Sequence, residues 1–250
     1  MKIELTGDVY GVGDIHGETR ILEYFLEYYD MRNCTLILLG DIGIFRYRDY
    51  KHYLQFDKFC NEREITVYAF RGNHDNPAFF LPIEEQSPIA RRFWEKFTNF
   101  KVLPDLTRVN INESKGIVIG GGVSIDRCSR KSWLSSYRQY GNLYKSNDWW
   151  ESETVPETAG INEKFDFILS HTGPRPVKVP PLSDNNCSFF NRDACLKQDI
   201  EAENKRLEEI QHQFKPARWW FGHFHINDDF EFFDTRCTAV DINFLTPLQL

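Results

Sequence analysis

The sequence predicts an α/β fold in one domain spanning residues 1–250, on the basis of three observations. Apolar, strand-like runs alternate with amphipathic, helix-like segments through the first 70 residues, which is typical of a parallel sheet flanked by helices. Each apolar run is followed, at once or after one residue, by a glycine and then a polar side chain. A length of 250 residues suits one domain with a substantial core.

The first half of the predicted sheet follows from its hydrophobic pattern. A strand is predicted at residues 9–12, and residues 18–32 carry apolar side chains at helical spacing. The continuous apolar runs at 35–39 and 65–70 indicate strands buried on both faces, with a helix over 50–61 between them. In open α/β sheets, ligands bind at the carboxyl ends of such strands, so the residues that follow them are candidates for a site.

The rest of the chain shows a weaker but similar alternation. The predicted elements are strands at 107–112, 116–120, 165–169 and 219–221, a charged helix over 192–214, and a hairpin of 230–233 with 237–242. Residues 127–162 are rich in Ser, Trp and Tyr and have little periodicity, which indicates loops and short helices. Loops of this kind commonly determine substrate selectivity.

Five short segments carry side chains suited to binding metal ions. In chain order they are Gly13-Asp14-Ile15-His16-Gly17, Gly40-Asp41-Ile42-Gly43, Gly72-Asn73-His74-Asp75, Ser170-His171-Thr172-Gly173 and Gly222-His223-Phe224-His225. Five of the seven histidines of the chain lie in these segments. Their oxygen and nitrogen donors exceed what one small cation needs and are about enough for two.

The spacing within the segments predicts how their side chains point. Asp14 and His16 are two residues apart, so in extended backbone both face the same ion while Ile15 faces the core. His223 and His225 repeat this spacing, and the residue between them is expected to face away. Carboxylate, imidazole and amide donors suit first-row transition metals. We therefore expect two divalent transition-metal ions, Mn²⁺ first and Fe, Zn, Ni or Co as alternatives.

The order of the segments resembles that of the calcineurin-like metallophosphoesterases, whose pattern is D-x-H, G-D, G-N-H-[DE], H and G-H-x-H. The resemblance covers nearly the whole chain and implies a four-layer α/β/β/α sandwich, the metallo-dependent phosphatase-like fold, with the site at one edge of the sheets. It implies the following metal ligands: Asp14, His16 and His225 on one ion, Asn73, His171 and His223 on the other, and Asp41 bridging both. The implied nucleophile is a hydroxide between the two ions.

Two residues of the third segment are candidate catalytic residues outside the ligand set. His74 is expected to protonate the leaving alkoxide or, as an imidazolium, to stabilise charge on the phosphoryl group. Packing that supports Asn73 is the alternative role for His74. Asp75 either orients His74 or caps the turn that follows, and the sequence leaves both readings open.

One departure from the family pattern bears on the substrate. Phosphoprotein phosphatases of this superfamily extend the second segment with an Asp-Arg pair, where this chain has Ile44 and Phe45. Arg71 does match that branch and is a candidate substrate-binding residue. The departure argues against a phosphoprotein phosphatase, and it requires another partner to orient His74.

A glycine-rich stretch in the middle of the chain provides further candidates. The segment Gly120-Gly121-Gly122-Val123-Ser124-Ile125-Asp126 resembles one in small stand-alone bacterial and phage metallophosphoesterases. Arg127, Arg130 and Lys131 follow it and are candidates to bind the non-reacting part of a phosphate ester. Ordinary surface charges after a solvated turn are the alternative reading.

The predicted function is hydrolysis of a phosphate ester by a dinuclear metal-dependent phosphoesterase, with a preference for small phosphodiesters such as cyclic nucleotides. A proton donor at His74 makes a poor alkoxide leaving group manageable, and no arginine dedicated to a dianionic phosphate is evident.

A phosphomonoesterase is the close alternative. A nuclease would need a basic, aromatic groove made of Arg127, Arg130, Lys131, Arg138 and Trp149-Trp150. A non-enzymatic scaffold would lack metal ligands, yet all seven are present.

Composition limits the partners of the protein. A net charge of −7 argues against broad attraction to nucleic acid or anionic membranes, so nucleic acid is the less favoured partner. No apolar run approaches the roughly 18 residues that span a bilayer, and the N-terminus lacks a secretory signal. We expect a cytoplasmic enzyme that acts on a phosphate-ester substrate without a membrane partner. The sequence does not indicate an oligomeric state.

Overall fold

The computed structural model describes residues 1–43, 50–131, 150–183 and 187–249. The strands are β1 (Lys2–Leu5), β2 (Val9–Val12), β3 (Thr35–Leu38), β4 (Thr66–Ala69), β5 (Phe100–Val102), β6 (Arg108–Ile111), β7 (Ser114–Ile119), β8 (Phe167–Ser170), β9 (Arg218–Phe221), β10 (Asp228–Phe232), β11 (Thr235–Ala239) and β12 (Leu245–Pro247). The helices are α1 (Thr19–Tyr28), α2 (Lys51–Glu62), α3 (Pro88–Trp94) and α4 (Leu196–Phe214). A 3₁₀ turn covers Pro77–Phe79, and residues 127–131 include a further helical stretch.

The strands form two mainly parallel sheets. The first sheet has the order β12-β2-β3-β4-β5, in which only the β12–β2 pair is antiparallel. The second sheet has the order β1-β6-β7-β8-β9-β11-β10, in which the β6–β7 and β10–β11 pairs are antiparallel. The predicted hairpin near the end of the chain is therefore confirmed as β10–β11.

Within the described residues, three apolar clusters separate four layers. Successive side chains of a buried strand point to opposite faces, so Ile37 enters the cluster between the two sheets while Leu38 packs toward α1 and α2. On the second sheet, Leu169 faces the inner cluster while Ile168 packs with the apolar face of α4. This arrangement confirms the predicted α/β/β/α sandwich and explains why these strands read as continuous apolar runs.

The structure shortens two predicted helices and adds elements that the pattern did not show. Helix α1 ends at Tyr28 because the backbone turns left-handed at Asp30 and again at Asn33, which a right-handed helix cannot accommodate. Helix α4 begins at Leu196 rather than at residue 192. The added elements are β1, α3, β5 and β12, which are all short and carry little periodic signal. Among the described residues, no helix combines the length and the apolar character that crossing a bilayer requires.

Candidate metal centre

The predicted ligand segments meet where strands of both sheets end. Strands β2, β3 and β4 run parallel, as do β8 and β9, so in each set the carboxyl ends lie at the same edge. Asp14 follows β2, Asp41 follows β3, Asn73 follows β4, His171 follows β8, and His223 follows β9. The structure therefore brings together side chains that are up to about 200 residues apart in the chain.

Three of these side chains form what we call the first ligand group, which consists of Asp14, His16 and His225. The Nε2 atom of His225 lies 2.9 Å from Oδ2 of Asp14 and 3.1 Å from Nε2 of His16. The distance from Nε2 of His16 to Oδ2 of Asp14 is 3.8 Å. One small cation could contact all three donor atoms, and the same three residues are those that the family resemblance assigns to one ion.

The second ligand group consists of Asn73, His171 and His223. Oδ1 of Asn73 lies 2.6 Å from Nε2 of His171 and 3.1 Å from Nδ1 of His223, and these two ring nitrogens are 3.2 Å apart. The other ring nitrogen of His171, Nδ1, is 2.8 Å from the carbonyl oxygen of Leu39 and can only donate to it. A neutral His171 therefore presents the lone pair of Nε2 to the amide oxygen of Asn73.

This convergence of lone pairs fits a bound cation. In the neutral tautomer of His171 that donates from Nδ1, neither Nε2 nor the amide oxygen of Asn73 carries a proton for the 2.6 Å contact between them. A cation between such atoms removes the repulsion, and their chemistry is that of a transition-metal site. The residues present therefore fit metal ions at both ligand groups.

Asp41 lies beside the second ligand group. Its Oδ1 is 3.4 Å from Nε2 of His171 and accepts the backbone N–H of His74 at 2.8 Å. Both Asp41 and Asp14 are 1% exposed. Burial and the charges of Asp14 and Asp75 raise the pKa of Asp41 well above its usual range, because three buried carboxyl groups lie close together. Although burial alone would raise the pKa of Asp14, His171 and His225 together with the backbone N–H of His223 lower it below its usual range.

The backbone of the ligand segments is left-handed rather than extended. The φ angles of His16, Asp41, His223 and His225 are 43°, 47°, 67° and 52°. The expectation that extended backbone aims Asp14 and His16 at one ion was therefore right about the meeting of the two side chains and wrong about its cause. The same geometry sends His223 and His225 to different ligand groups, as the resemblance implied.

Two glycines make the close packing of this centre possible. A Cβ atom added at Gly40 would collide with the ring of His171, and one added at Gly72 would collide with the carboxylate and backbone of Asp41. Gly40 also has a φ of 89°, which side chains rarely adopt. Gly40 and Gly72 are thus required because each lies against a predicted ligand from another segment.

A buried chain of hydrogen bonds orients the amide of Asn73. The Nδ2 atom of Asn73 donates to Oγ of Ser124 at 2.7 Å, and that hydroxyl donates to Oε2 of Glu153 at 2.8 Å. Glu153 also accepts the backbone N–H of Ser124 at 3.0 Å. Because Nδ2 is held in this way, Oδ1 must face the imidazole groups. The glycine-rich stretch thus acts on the metal centre through Ser124, whereas Glu153 had no motif that could have revealed it.

We expect Ser124→Ala to weaken metal binding at the second ligand group. The substitution removes the acceptor that holds the amide of Asn73, and loss of such supporting hydrogen bonds typically lowers metal affinity about 10- to 100-fold. Titration of Mn²⁺ into metal-free protein should show one weakened site. Ser124→Thr keeps the hydroxyl and should restore the affinity, while equal affinities in wild type and Ser124→Ala would contradict the orienting role.

His74 lies beside the ligands and lines a cavity next to them. Its Nδ1 is 3.4 Å from Nη1 of Arg130, and its Nε2 is 3.9 Å from Oδ2 of Asp41. An arginine can only donate, so Nδ1 accepts and the proton of the neutral ring is on Nε2. Burial, together with the charge of Arg130, lowers the pKa of His74 to about 2. Of the two predicted forms, the imidazolium is therefore disfavoured, and Arg130 is the orienting partner that the sequence left unidentified.

Asp75 does not orient His74 among the contacts of the structure. Its carboxylate accepts three backbone N–H groups, those of Ile42 at 3.1 Å, Gly43 at 3.0 Å and Gly72 at 2.8 Å. The candidate catalytic role of Asp75 is therefore replaced by a structural one. Asp75 ties the loop after β3 to the loop after β4, and so sets the distance between Asp41 and Asn73.

The structure also corrects two of the predicted substrate-binding arginines. Arg71 is buried and donates to Asp105 at 2.7–2.8 Å and to the carbonyl oxygens of residues 152–154 at 2.9–3.2 Å, so its guanidinium is fully engaged. Arg127 is buried between Asp193, at 2.7 Å, and Asp199, at 2.6 Å. Both arginines stabilise the fold around the site and do not line the cavity beside the metal ligands.

The remaining predicted cations differ in position. Arg130 is buried, lies 2.9 Å from Asp126 and contacts His74, so it reaches the site through the histidine. Lys131 is exposed. Ile44, Phe45, Arg138 and Trp149 lie outside the described residues, as does half of the segment 127–162 that was predicted to be irregular.

Arg175 is a residue of the site that the motifs did not reveal. It is partly buried and lines the same cavity as Asn73 and His74. It forms no ion pair or hydrogen bond with any described residue. Nothing in the sequence distinguishes it from other arginines in loops. It is a candidate ligand-binding residue because it lacks a partner among the described residues, which only the structure shows.

Comparison with known proteins adds one family match. A family model described as calcineurin-like phosphoesterase matches residues 8–227, which is most of the chain. No protein among the curated sequences matches significantly. The solved structures that it resembles include TT1561 of Thermus thermophilus, with 13% identity, a TM-score of 0.47, and coverage of 94% of this chain and 89% of that one. Another is a phosphopantetheinyl hydrolase (PptH) from Mycobacterium tuberculosis, with 12% identity, a TM-score of 0.43, and coverage of 96% and 95%.

Proposed function

The chain belongs to the calcineurin-like phosphoesterase family, and we propose that it hydrolyses small phosphodiesters with two bound transition-metal ions. The family uses divalent metals to hydrolyse phosphate esters, so the protein is a metal-dependent phosphoesterase. The observation that carries the choice of a diester is the scarcity of positive charge among the described residues beside the metal ligands, to which the neutral His74 adds none. A neutral ring with its proton on Nε2, next to Asp41 and facing the cavity, is a hydrogen-bond donor.

We assign one ion to the first ligand group and one to the second, with Asp41 between them and Mn²⁺ as the favoured metal. When bound, such a pair supplies an activated water and neutralises charge on the phosphoryl oxygens. The protein supplies the rest. Its buried carboxylates and the four imidazole groups beside them would hold the ions in place, and Ser124 and Asp75 fix the geometry of the ligands.

A phosphodiester fits the remaining groups better than a monoester does. In both cases the leaving group is an alkoxide that a hydrogen bond from His74 can stabilise, so the difference lies in the charge of the phosphoryl group. A diester carries one negative charge, whereas a monoester carries close to two at neutral pH. Of the described residues that line the cavity, Arg175 is the only lysine or arginine, so the protein provides little extra charge for a dianion.

Phosphomonoester hydrolysis is the second candidate, and Arg175 is the observation that favours it. A guanidinium beside the metal ligands, without an acceptor in the part of the chain that the structure describes, could bind a terminal phosphate through two parallel hydrogen bonds. A nuclease is less well supported, because Arg127 and Arg130 of the expected basic groove are engaged by carboxylates. Small esters are therefore the first substrates to test.

A paired assay distinguishes the two candidates. We expect protein reconstituted with Mn²⁺ to hydrolyse bis(para-nitrophenyl) phosphate with a kcat/KM about tenfold above that for para-nitrophenyl phosphate, a difference of about 1.4 kcal/mol in transition-state stabilisation. A preference for the monoester would assign the protein to the monoesterases. No hydrolysis of either ester would refute the proposed function. A panel of cyclic nucleotides would then narrow the natural substrate.

A further inference from the structure

A cavity of about 460 Å³ opens beside the metal ligands. At one end it is lined by Asp41, Asn73, His74, His223 and His225. The rest of its wall is largely apolar and includes Ile125, Val179, Leu182, Phe189, Ile200 and Phe224. Cavities of this volume, apolar but with a few polar groups, are typical of small-molecule sites.

The apolar wall comes from four separate parts of the chain, one of which is the glycine-rich stretch with Ile125. Val179, Leu182 and Phe189 belong to the segment between β8 and α4, Ile200 lies on α4, and Phe224 stands between two metal-binding histidines. The sequence predicted that the residue at 224 would face away from the site, and the structure corrects this. Each of these six side chains remains partly exposed, although burying it would be favourable, which indicates room for a ligand.

Among the described residues that line the cavity, Arg175 is the one lysine or arginine and has its guanidinium available to bind a ligand. Asp126 is paired with Arg130 at 2.9 Å, and Glu203 accepts the backbone N–H of Val123 at 2.7 Å. Burial raises the pKa of Glu203 to about 7, so its negative charge is reduced near neutral pH. Arg175 has no acceptor among the described residues. A ligand with an apolar body and an oxygen acceptor would satisfy both the wall and this guanidinium.

We propose that this cavity, here called the ester pocket, binds an aromatic substituent of the phosphate ester while Arg175 donates to one of its oxygen atoms. The inference rests on the proposed phosphoesterase function, because it takes the metal centre as the point where the phosphoryl group sits. Flat rings suit the pocket because Phe189 and Phe224 can contact them by stacking or edge-to-face packing. The aromatic group could be a simple aryl ring or a nucleobase, since both offer the same chemistry to the wall.

Binding of matched ligands tests the ester pocket without requiring turnover. Calorimetric titration of the Mn²⁺-loaded protein would compare phenylphosphonate with methylphosphonate, and adenosine monophosphate with ribose phosphate. In each pair only the aromatic group differs. We expect the aromatic member of at least one pair to bind about tenfold more tightly, as burial of a ring predicts. A preference confined to the second pair would identify a nucleobase, and one confined to the first a simple aryl group.

Variants of two wall residues from different parts of the chain show whether the preference for aromatic ligands arises in the ester pocket. Phe189→Ala and Ile200→Ala should each lower the ratio of affinities within the preferred pair severalfold, with unchanged metal content. Ile89→Ala removes the same atoms as Ile200→Ala from a side chain that is 74% exposed on α3, and it should leave the ratio unchanged. Arg175→Gln should weaken all four ligands by about tenfold, because a hydrogen bond to a charged group is lost.

The outcomes separate this inference from the proposed function. Equal affinities within both pairs, or a ratio that neither wall variant changes, would overturn the ester pocket even if the enzyme hydrolyses diesters. Failure to hydrolyse any ester would refute the proposed function, while the titration would still decide whether the pocket binds aromatic groups. Unchanged affinities in Arg175→Gln would remove the arginine from the proposal.

Discussion

Replacing Asp41 with asparagine is expected to lower hydrolysis by about a thousandfold or more while leaving the fold intact. The charge that metal ions place on a phosphoryl group is worth several kcal/mol, and each 1.36 kcal/mol corresponds to a factor of ten in rate. Asparagine keeps the shape of the side chain, tolerates the left-handed backbone at this position, and can still accept the N–H of His74. The loss would therefore arise from the missing carboxylate charge.

The same substitution should stabilise the protein when metal is absent. Asp41 is buried near Asp14 and Asp75, and its pKa is raised in the folded state. A carboxyl group of this kind stabilises the fold while it is protonated, and that contribution is lost as pH rises through its folded-state pKa. We expect metal-free Asp41→Asn to have a higher Tm than metal-free wild type, with a difference that grows as pH rises above the ordinary carboxyl range.

Asp57→Asn provides the matched control. Asp57 is also buried, but it accepts the backbone N–H groups of Thr98, Asn99 and Phe100 at 2.8–2.9 Å and is not among the ligand groups. Its substitution should lower the Tm and leave both metal content and turnover unchanged. Normal turnover in Asp41→Asn, measured on the ester that wild type prefers, would refute its place between the two ions.

The ligand positions could be predicted from sequence because each is indicated by the residues directly before it in the chain. Asp14, Asp41 and Asn73 follow runs of apolar residues that are buried on both faces, and such runs identify parallel strands without knowledge of their neighbours. Once the strands are parallel, the residues after them must meet at one edge. The four layers and the grouping of the ligands follow from this rule and from the family resemblance.

The roles of the charged residues could not be predicted, because they depend on partners that are distant in sequence. Arg127 resembled a substrate-binding residue until its partners, 66 and 72 positions away, were known. Arg175 had no distinguishing feature, since its significance lies in the absence of a partner among the described residues. The left-handed backbone at His16 likewise depends on packing, because the N–H of His16 donates to the carbonyl oxygen of Asp41.

His74 and Asp75 are adjacent in sequence, and we expect their substitutions to have opposite effects. His74→Ala should lower turnover by about 10²–10³-fold, the usual effect of removing one hydrogen-bond donor to the charge that develops in the transition state. Its backbone N–H to Asp41 remains, so metal content and Tm should stay close to those of wild type. Asp75→Ala should instead leave three buried N–H groups without an acceptor, at a cost of about 3 kcal/mol or more. For a chain of this size, that corresponds to a Tm lower by roughly 6–12 °C.

Measurement of Tm, metal content and kcat on the two variants separates chemistry from positioning. If Asp75 acted through His74, then Asp75→Ala would reproduce the loss of turnover at full stability and full metal content. The structure predicts instead that Asp75→Ala loses stability and metal binding, and that its loss of turnover follows from these. The reason is that Asp75 holds the loops that carry Asp41 and Asn73. Metal affinity should fall first in Asp75→Ala, and saturating Mn²⁺ should recover part of its activity. No concentration of metal should restore His74→Ala, since the group it lacks is the hydrogen-bond donor to the substrate.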